Sequence, residues 1–149
     1  MNIKRIKQMI GVILFLSINI SVINAQSLAI VANNDGPPPQ MTFKEIQSIF
    51  KGEKQRWKNN NRITLCMMKS NTNLGKLTAS KIYQMSGDEL NKFWLTLVFQ
   101  GTVQAPRFFI SQDELLRYVA DNPGSIGVVD NTYNNNEVKL VTVDSKKSF

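Results

Sequence analysis

The stretch "FKGEKQRWKNNNRITL", residues 50–65, decides the fold. A helix-like run ends in Phe50-Lys51-Gly52, a lone Trp57 follows among basic and Asn residues, and an apolar run begins near Arg62. Two readings compete. In the first, Lys51, Lys54, Arg56, Lys58 and Arg62 hold a polyanion while Trp57 stacks on a base. In the second, the stretch joins a helix to a strand. Gly52 then ends the helix, since glycine tolerates the left-handed conformation needed there, and Trp57 packs back on the core. Only the second reading builds a helix-to-strand unit.

Working outward, the pattern on both sides supports the connection. Before it, Thr42-Phe-Lys-Glu45 is a capping-box pattern, and Phe43, Ile46, Ile49 and Phe50 fall on one helical face. After it, Arg62–Met68 reads as a strand. Leu28–Ala32 is a short apolar run that reads as a buried strand, broken by the loop Asn33–Pro39. Beyond residue 68, the polar loop Lys69–Asn73 leads into a helix over about Leu74–Gln84. Ser86-Gly-Asp-Glu89 is a second capping box, followed by the stripe Leu90, Phe93, Trp94, Leu97 and Val98 and a stop at Gln100-Gly101. Ser111-Gln-Asp-Glu114 reads as a third, ahead of a helix stopped by Asn122-Pro-Gly124. Ser125–Val129 and Val138–Val143 read as strands joined by an Asn-rich turn at 134–136. The order β-α-β-α-α-α-β-β implies an α/β fold with a mixed, mostly parallel sheet flanked by helices. Ligands in such sheets sit at the carboxyl ends of strands, beside helix N-termini.

The chain has 149 residues, and its first 25 read as a secretory signal peptide. Lys4, Arg5 and Lys7 precede the nearly unbroken apolar run Met9–Ile23, and Ile23-Asn-Ala25 suits cleavage after Ala25. The alternative, an uncleaved anchor, would need about 20 apolar residues, and this run is shorter. No Cys lies near the cut, which excludes a lipid-anchored Cys. The expected mature part is therefore one domain, residues 26–149, in the periplasm or secreted. Three of the 18 basic residues lie in the leader, leaving 15 against 11 acidic ones, a net charge of +4. Much of the apparent basicity is thus targeting, which weakens the nucleic-acid reading.

The available chemistry is narrow. The sequence contains no His, which removes Ser-His and Cys-His catalysis and the usual His-containing metal sites. The acidic residues are scattered, and several sit in capping boxes. Adjacent residues at a strand end point different ways, which argues against a Lys69–Ser70 dyad. Cys66 is the only cysteine and sits in an apolar run, so it reads as a buried inert thiol. The expectation is a protein that is not an enzyme and has no cofactor or metal.

The more informative segment is Lys69–Asn73, between the end of a strand and the start of a helix. Helix N-termini offer unpaired amides and a positive dipole end. Ser70, Asn71, Thr72 and Asn73 add side-chain donors, and Lys69 and Lys76 add charge. That combination suits a small anion. An ordinary N-cap with solvated neighbours has the same composition and, on composition alone, is the better reading.

Three longer motifs resemble a known family. "MTFKEIQSIFKGEKQRW" (41–57) is similar to a helix that begins at Ser/Thr, ends in Ile-Phe-x-Gly and is followed by a Trp. "SGDELNKFWLTLVFQGTVQAPR" (86–107) resembles a Ser-x-x-Glu/Gln helix with a Trp, closed by Phe-x-Gly and a Pro. "VADNPGSIGVVD" (119–130) resembles a Val-Ala-x-x-Pro-Gly-x-Ile-Gly-Tyr-Val signature. In this order they resemble the periplasmic phosphate-binding proteins of ABC transporters, and especially their short relatives. The resemblance spans about residues 28–130.

It implies a type 2 periplasmic-binding-protein-like lobe, with Ser/Thr hydroxyls and helix amides holding phosphate. It also makes Gly52 the helix-ending glycine and Trp57 the packing tryptophan, which answers the question raised by residues 50–65. Full-length members hold the anion between two lobes, whereas this chain has material for about one. "KSNTNLGK" (69–76) supplies Lys69, Ser70, Thr72 and Lys76 but lacks the Gly-Ser and Arg typical there. Lys meets phosphate as a point charge, without the bidentate fork of Arg. The expected ligand-binding set is Lys69, Ser70, Asn71, Thr72, Asn73 and Lys76, for phosphate or a similar small oxyanion. The implied partners are ABC-transporter membrane components or another envelope protein, not nucleic acid. The alternative is an envelope interaction or accessory module that has lost anion binding.

Overall fold

The structure is a computed structural model that describes residues 26–149. The expected signal segment at 1–25 lies outside the described residues. Six strands form one sheet in the order β2-β6-β1-β5-β3-β4. They are β1 Leu28–Ala32, β2 Gln40–Met41, β3 Thr64–Met68, β4 Arg107–Phe109, β5 Ser125–Asp130 and β6 Lys139–Val143. β1 runs antiparallel to both neighbours, β5 and β6, and the other three pairings are parallel. The sheet is mixed and mostly parallel, as the element order implies.

Helices cover both faces. α1 (Phe43–Phe50), α2 (Asn73–Thr78) and α3 (Gly87–Phe99) lie on one side, and α4 (Gln112–Asp121) lies on the other. This is why β1 is apolar at every position. Leu28, Ile30 and Ala32 join the first core, and Ala29 and Val31 join the second. Cys66 belongs to the second core and is fully buried, and that burial pushes its thiol up to about 12. The expected inert thiol is what the fold contains.

The capping boxes at Thr42–Glu45 and Ser86–Glu89 both form. The third expected box does not. Ser111 makes no side-chain cap bond. Gln112 instead bonds Asp130, with its Nε2 donating to Oδ2 at 2.8 Å and its Oε1 accepting from the Asp130 amide at 2.8 Å. That link ties the start of α4 to the end of β5. The second helix also differs in form. α2 passes into a π turn over Ala79–Tyr83 and stops at Gln84 in the left-handed region. The turn buries Ile82 and Tyr83, whose hydroxyl donates to the Phe50 carbonyl at 2.7 Å.

Three strand readings need correction. β3 begins at Thr64 rather than Arg62, because Arg62 bridges back to Arg56 and Ile63 donates to the Gln55 carbonyl. β2 and β4 are too short to carry an alternating pattern. β5 and β6 are not a hairpin, since β1 lies between them. Both run against β1, so segment 131–138 must return along the sheet, and it buries Val138 against the α4 core.

Residues 50–65 form a closed structural connection. Gly52 has φ +78°, the conformation expected just past a helix end. Trp57 is buried, and its indole Nε1 donates to the Gly124 carbonyl at 2.9 Å. Gly36 and Gly124 leave room for the ring, since a Cβ on Gly36 would lie 3.1 Å from Trp57 Cδ1.

Candidate functional site

β3 delivers Lys69 to the carboxyl edge of the sheet, where its amide donates to the Phe109 carbonyl at 2.9 Å. The chain then turns sharply. The Thr72 amide and hydroxyl both donate to the Lys69 carbonyl, at 2.9 and 2.7 Å. The same hydroxyl accepts from the Gly75 amide at 3.0 Å, which makes Thr72 the N-cap of α2. Gly75 is required by space, because a Cβ there would lie 2.0 Å from the Lys69 carbonyl oxygen.

Only part of the expected set converges. Lys69, Ser70 and Asn71 line an open depression of about 370 Å³ with Asn91 and Phe108. Ser70, Asn71 and Lys76 line an adjoining one of about 490 Å³ with Ser86, Gly87, Asp88 and Asn91. Thr72 and Asn73 line neither. The Thr72 hydroxyl proton is spent within the cap, and Ser70 donates to Asn91 Oδ1 at 3.0 Å.

Asn91 is the residue that sequence reasoning missed. It borders both depressions and holds Ser70 from the middle of α3. Its only signal was a polar position beside an apolar stripe, which describes most exposed helical residues. Close approach of the two elements depends on Gly87, where a Cβ would lie 3.0 Å from the Ser70 carbonyl oxygen.

Electrostatics in the depression are mixed. Lys69 and Lys76 bring positive charge, and Asp88 lines the same wall as Lys76. The Glu89 carboxylate turns back to its own cap and accepts from the Ser86 amide at 2.7 Å. That backbone bond, with the Ser86 hydroxyl bond, holds its carboxyl below the usual range. At the end of β5, burial acts to raise the Asp130 carboxyl, but bonds from Thr132 and Gln112 outweigh it and lower it. Among the described residues, no group of three or more His, Cys, Asp and Glu side chains suits a metal ion. No helix among them is long and apolar enough to cross a membrane.

No family model matches the chain, and no curated protein matches it. Solved structures do. An ABC-type phosphate transport receptor from Vibrio cholerae superposes with a TM-score of 0.63 at 15% identity, over 83% of this chain and 49% of that one. PstS from Borrelia burgdorferi gives 0.61 at 16% identity, over 81% of this chain and 48% of that one. The chain thus spans about half the length of these structures. It shares the α/β fold of these phosphate transport receptors over about half their length.

Proposed function

We propose that this chain is a non-catalytic, solute-binding-like protein that holds phosphate or a similar small oxyanion beside Lys69, Ser70 and Asn71. The observation that carries this reading is the meeting of the β3–α2 loop with Asn91 at the carboxyl edge of the sheet. Ligands of open α/β sheets bind at that edge. The fold likeness to a phosphate transport receptor supports the same chemistry. Lys69 and Lys76 supply charge, and the Ser70 hydroxyl turns from Asn91 toward the anion. Thr72 and Asn73 act from behind, by fixing the start of α2. The protein works in the periplasm or outside the cell after loss of residues 1–25, beside the membrane components of an ABC transporter.

Calorimetric titration of the purified chain with phosphate, then sulfate, at fixed ionic strength tests this. Saturable phosphate binding at micromolar affinity, lost in Ser70→Ala/Thr72→Ala, is the expected result. Absence of heat and of thermal stabilisation at millimolar phosphate would overturn it.

One set of observations favours a second reading, an envelope interaction module that has lost its anion. The Ser70 and Thr72 protons are already committed, and Asp88 opposes an anion near Lys76. Under this reading the titration is silent and the chain acts through its surface.

A further inference from the structure

The exposed large hydrophobic side chains among the described residues all gather at one edge of the molecule. Leu95, Val98 and Phe99 lie on α3, and Phe108 and Ile110 lie in or just after β4. Leu95 is 58% exposed, Phe99 83% and Ile110 67%. Between α3 and β4 runs a groove of about 250 Å³, lined by Leu95, Val98, Pro106 and Phe108. It meets the polar depression at Asn91 and Phe108, which border both.

β4 is the last strand of the sheet and pairs only with β3. Backbone groups of successive strand residues point to opposite edges. Phe109 gives its carbonyl to Lys69 on the β3 side, so the amide and carbonyl of Phe108 face the open edge. The opposite edge is built differently. β2 is only Gln40–Met41, follows Pro37-Pro-Pro39, and shows no exposed large hydrophobic residue. Prolines and short strands blunt a sheet edge.

Side chains on the two faces of β4 differ in kind. Phe108 faces the α3 groove. Arg107 lies on the other face, its guanidinium 5.0 Å from the Tyr118 ring centre. No Asp or Glu lines the groove or its continuation to Lys69. A second copy would bring another Arg107 edge on a chain whose residues 26–149 already carry a net +4, whereas an acidic segment complements it.

We propose that the β4 edge takes an extended segment of a partner protein as an added strand, with apolar side chains in the α3 groove and carboxylates on the opposite face, toward Arg107. Strand addition supplies main-chain bonds, and the alternation of side chains supplies selectivity. The occupant is therefore a segment that alternates acidic and apolar residues.

The test is fluorescence anisotropy of the purified chain with a short labelled peptide alternating Glu and Val, against one alternating Lys and Val. The Glu–Val peptide binds at least about tenfold more tightly, and Leu95→Glu or Phe108→Glu weakens it by about tenfold or more. Leu95 is exposed, so Leu95→Glu keeps its melting temperature and stays informative if Phe108→Glu unfolds. Amide exchange at Phe108 and Ile110 slows on binding. Ser70→Ala leaves the affinity unchanged, which separates this site from the oxyanion depression. Equal affinity for the two peptides, no saturable binding, or unchanged exchange at Phe108 and Ile110 would overturn the proposal. So would a dimer in sedimentation that Leu95→Glu dissociates, since the face would then belong to a second copy.

Discussion

Two polar loops of this chain look alike on paper and behave in opposite ways. Residues 51–62 and 69–76, the second running into the first turn of α2, are both basic and rich in Asn, and each follows a regular element. The first closes on itself. Trp57 donates from its backbone to the Asn61 carbonyl and from its indole to Gly124, and Arg56 bridges to Arg62. The second stays open, with Lys69, Ser70 and Asn71 bordering a depression. The difference lies in one buried aromatic ring. An aromatic body with a single polar handle can pin a charged loop to a core, whereas a hydroxyl N-cap only orders the turn it begins.

The sharpest way to break that contrast is to remove the ring. Trp57→Ala should cost about 3–5 kcal/mol, the range for deleting a large buried aromatic, and it also leaves the Gly124 carbonyl without its donor. The urea midpoint reports the loss. Were residues 51–62 a ligand patch with an exposed stacking ring, the same substitution would be nearly neutral for stability.

The second loop has its own rigid point. Gly75→Ala sets a methyl 2.0 Å from the Lys69 carbonyl oxygen, a backbone clash that flexible side chains cannot relieve. A destabilisation of about 3 kcal/mol is expected from overpacking of this kind, read from the same denaturation curve. A smaller change would mean that the β3–α2 turn shifts freely, and the depression would then have no fixed shape.

These two glycine-and-tryptophan arrangements show how far the sequence could be read. The helix-ending Gly52 and the packing Trp57 were legible because each has a local signature: a left-handed residue after an apolar stripe, and a lone aromatic in a polar loop. The capping boxes at Thr42 and Ser86 were legible for the same reason. The box at Ser111 does not form, and the start of that helix is held instead by Gln112 through Asp130, which is distant in sequence. β2 and β4 were not legible because strands this short owe their existence to neighbours rather than to pattern. The same holds for the site. Lys69–Asn71 could be marked from a strand-to-helix junction, but Asn91 reaches Ser70 only through the packing of α3.

A finer test separates cap from ligand within the second loop. Thr72→Ala removes an N-cap and should cost about 1 kcal/mol of stability, while Thr72→Ser retains most of it. Ser70→Ala touches only the bond to Asn91 and should change stability by less than about 0.5 kcal/mol. Phosphate titration then gives the split. Under the oxyanion reading Ser70→Ala loses affinity at nearly unchanged stability, and Thr72→Ser keeps affinity. Loss of affinity that tracks melting temperature across all three variants would instead mark the loop as structural throughout.

The smallest expected effect concerns what the lysines of the first loop do. The Thr42 amide bond, followed by the Thr42 hydroxyl bond, is the main reason the Glu45 carboxyl lies below its ordinary value, and attraction from Lys54 and Lys58 adds to it. Glu89 has the same cap bonds from Ser86 but only Lys92 nearby. Both carboxyls are lowered on folding, so each contributes stability that is fully present above the unfolded value of 4.5 and is lost as the pH falls through the lower folded value. Both are solvent-exposed, so the contributions are small and screened. Lys54→Met/Lys58→Met should raise the Glu45 midpoint slightly in a carboxyl-detected NMR titration at low salt and leave Glu89 unmoved. The difference should fade as salt shortens the Debye length. A raised Glu45 midpoint ties these lysines to a helix cap. An unmoved one, together with lost binding of a polyanion such as heparin, would return the basic loop to the role its composition first suggests.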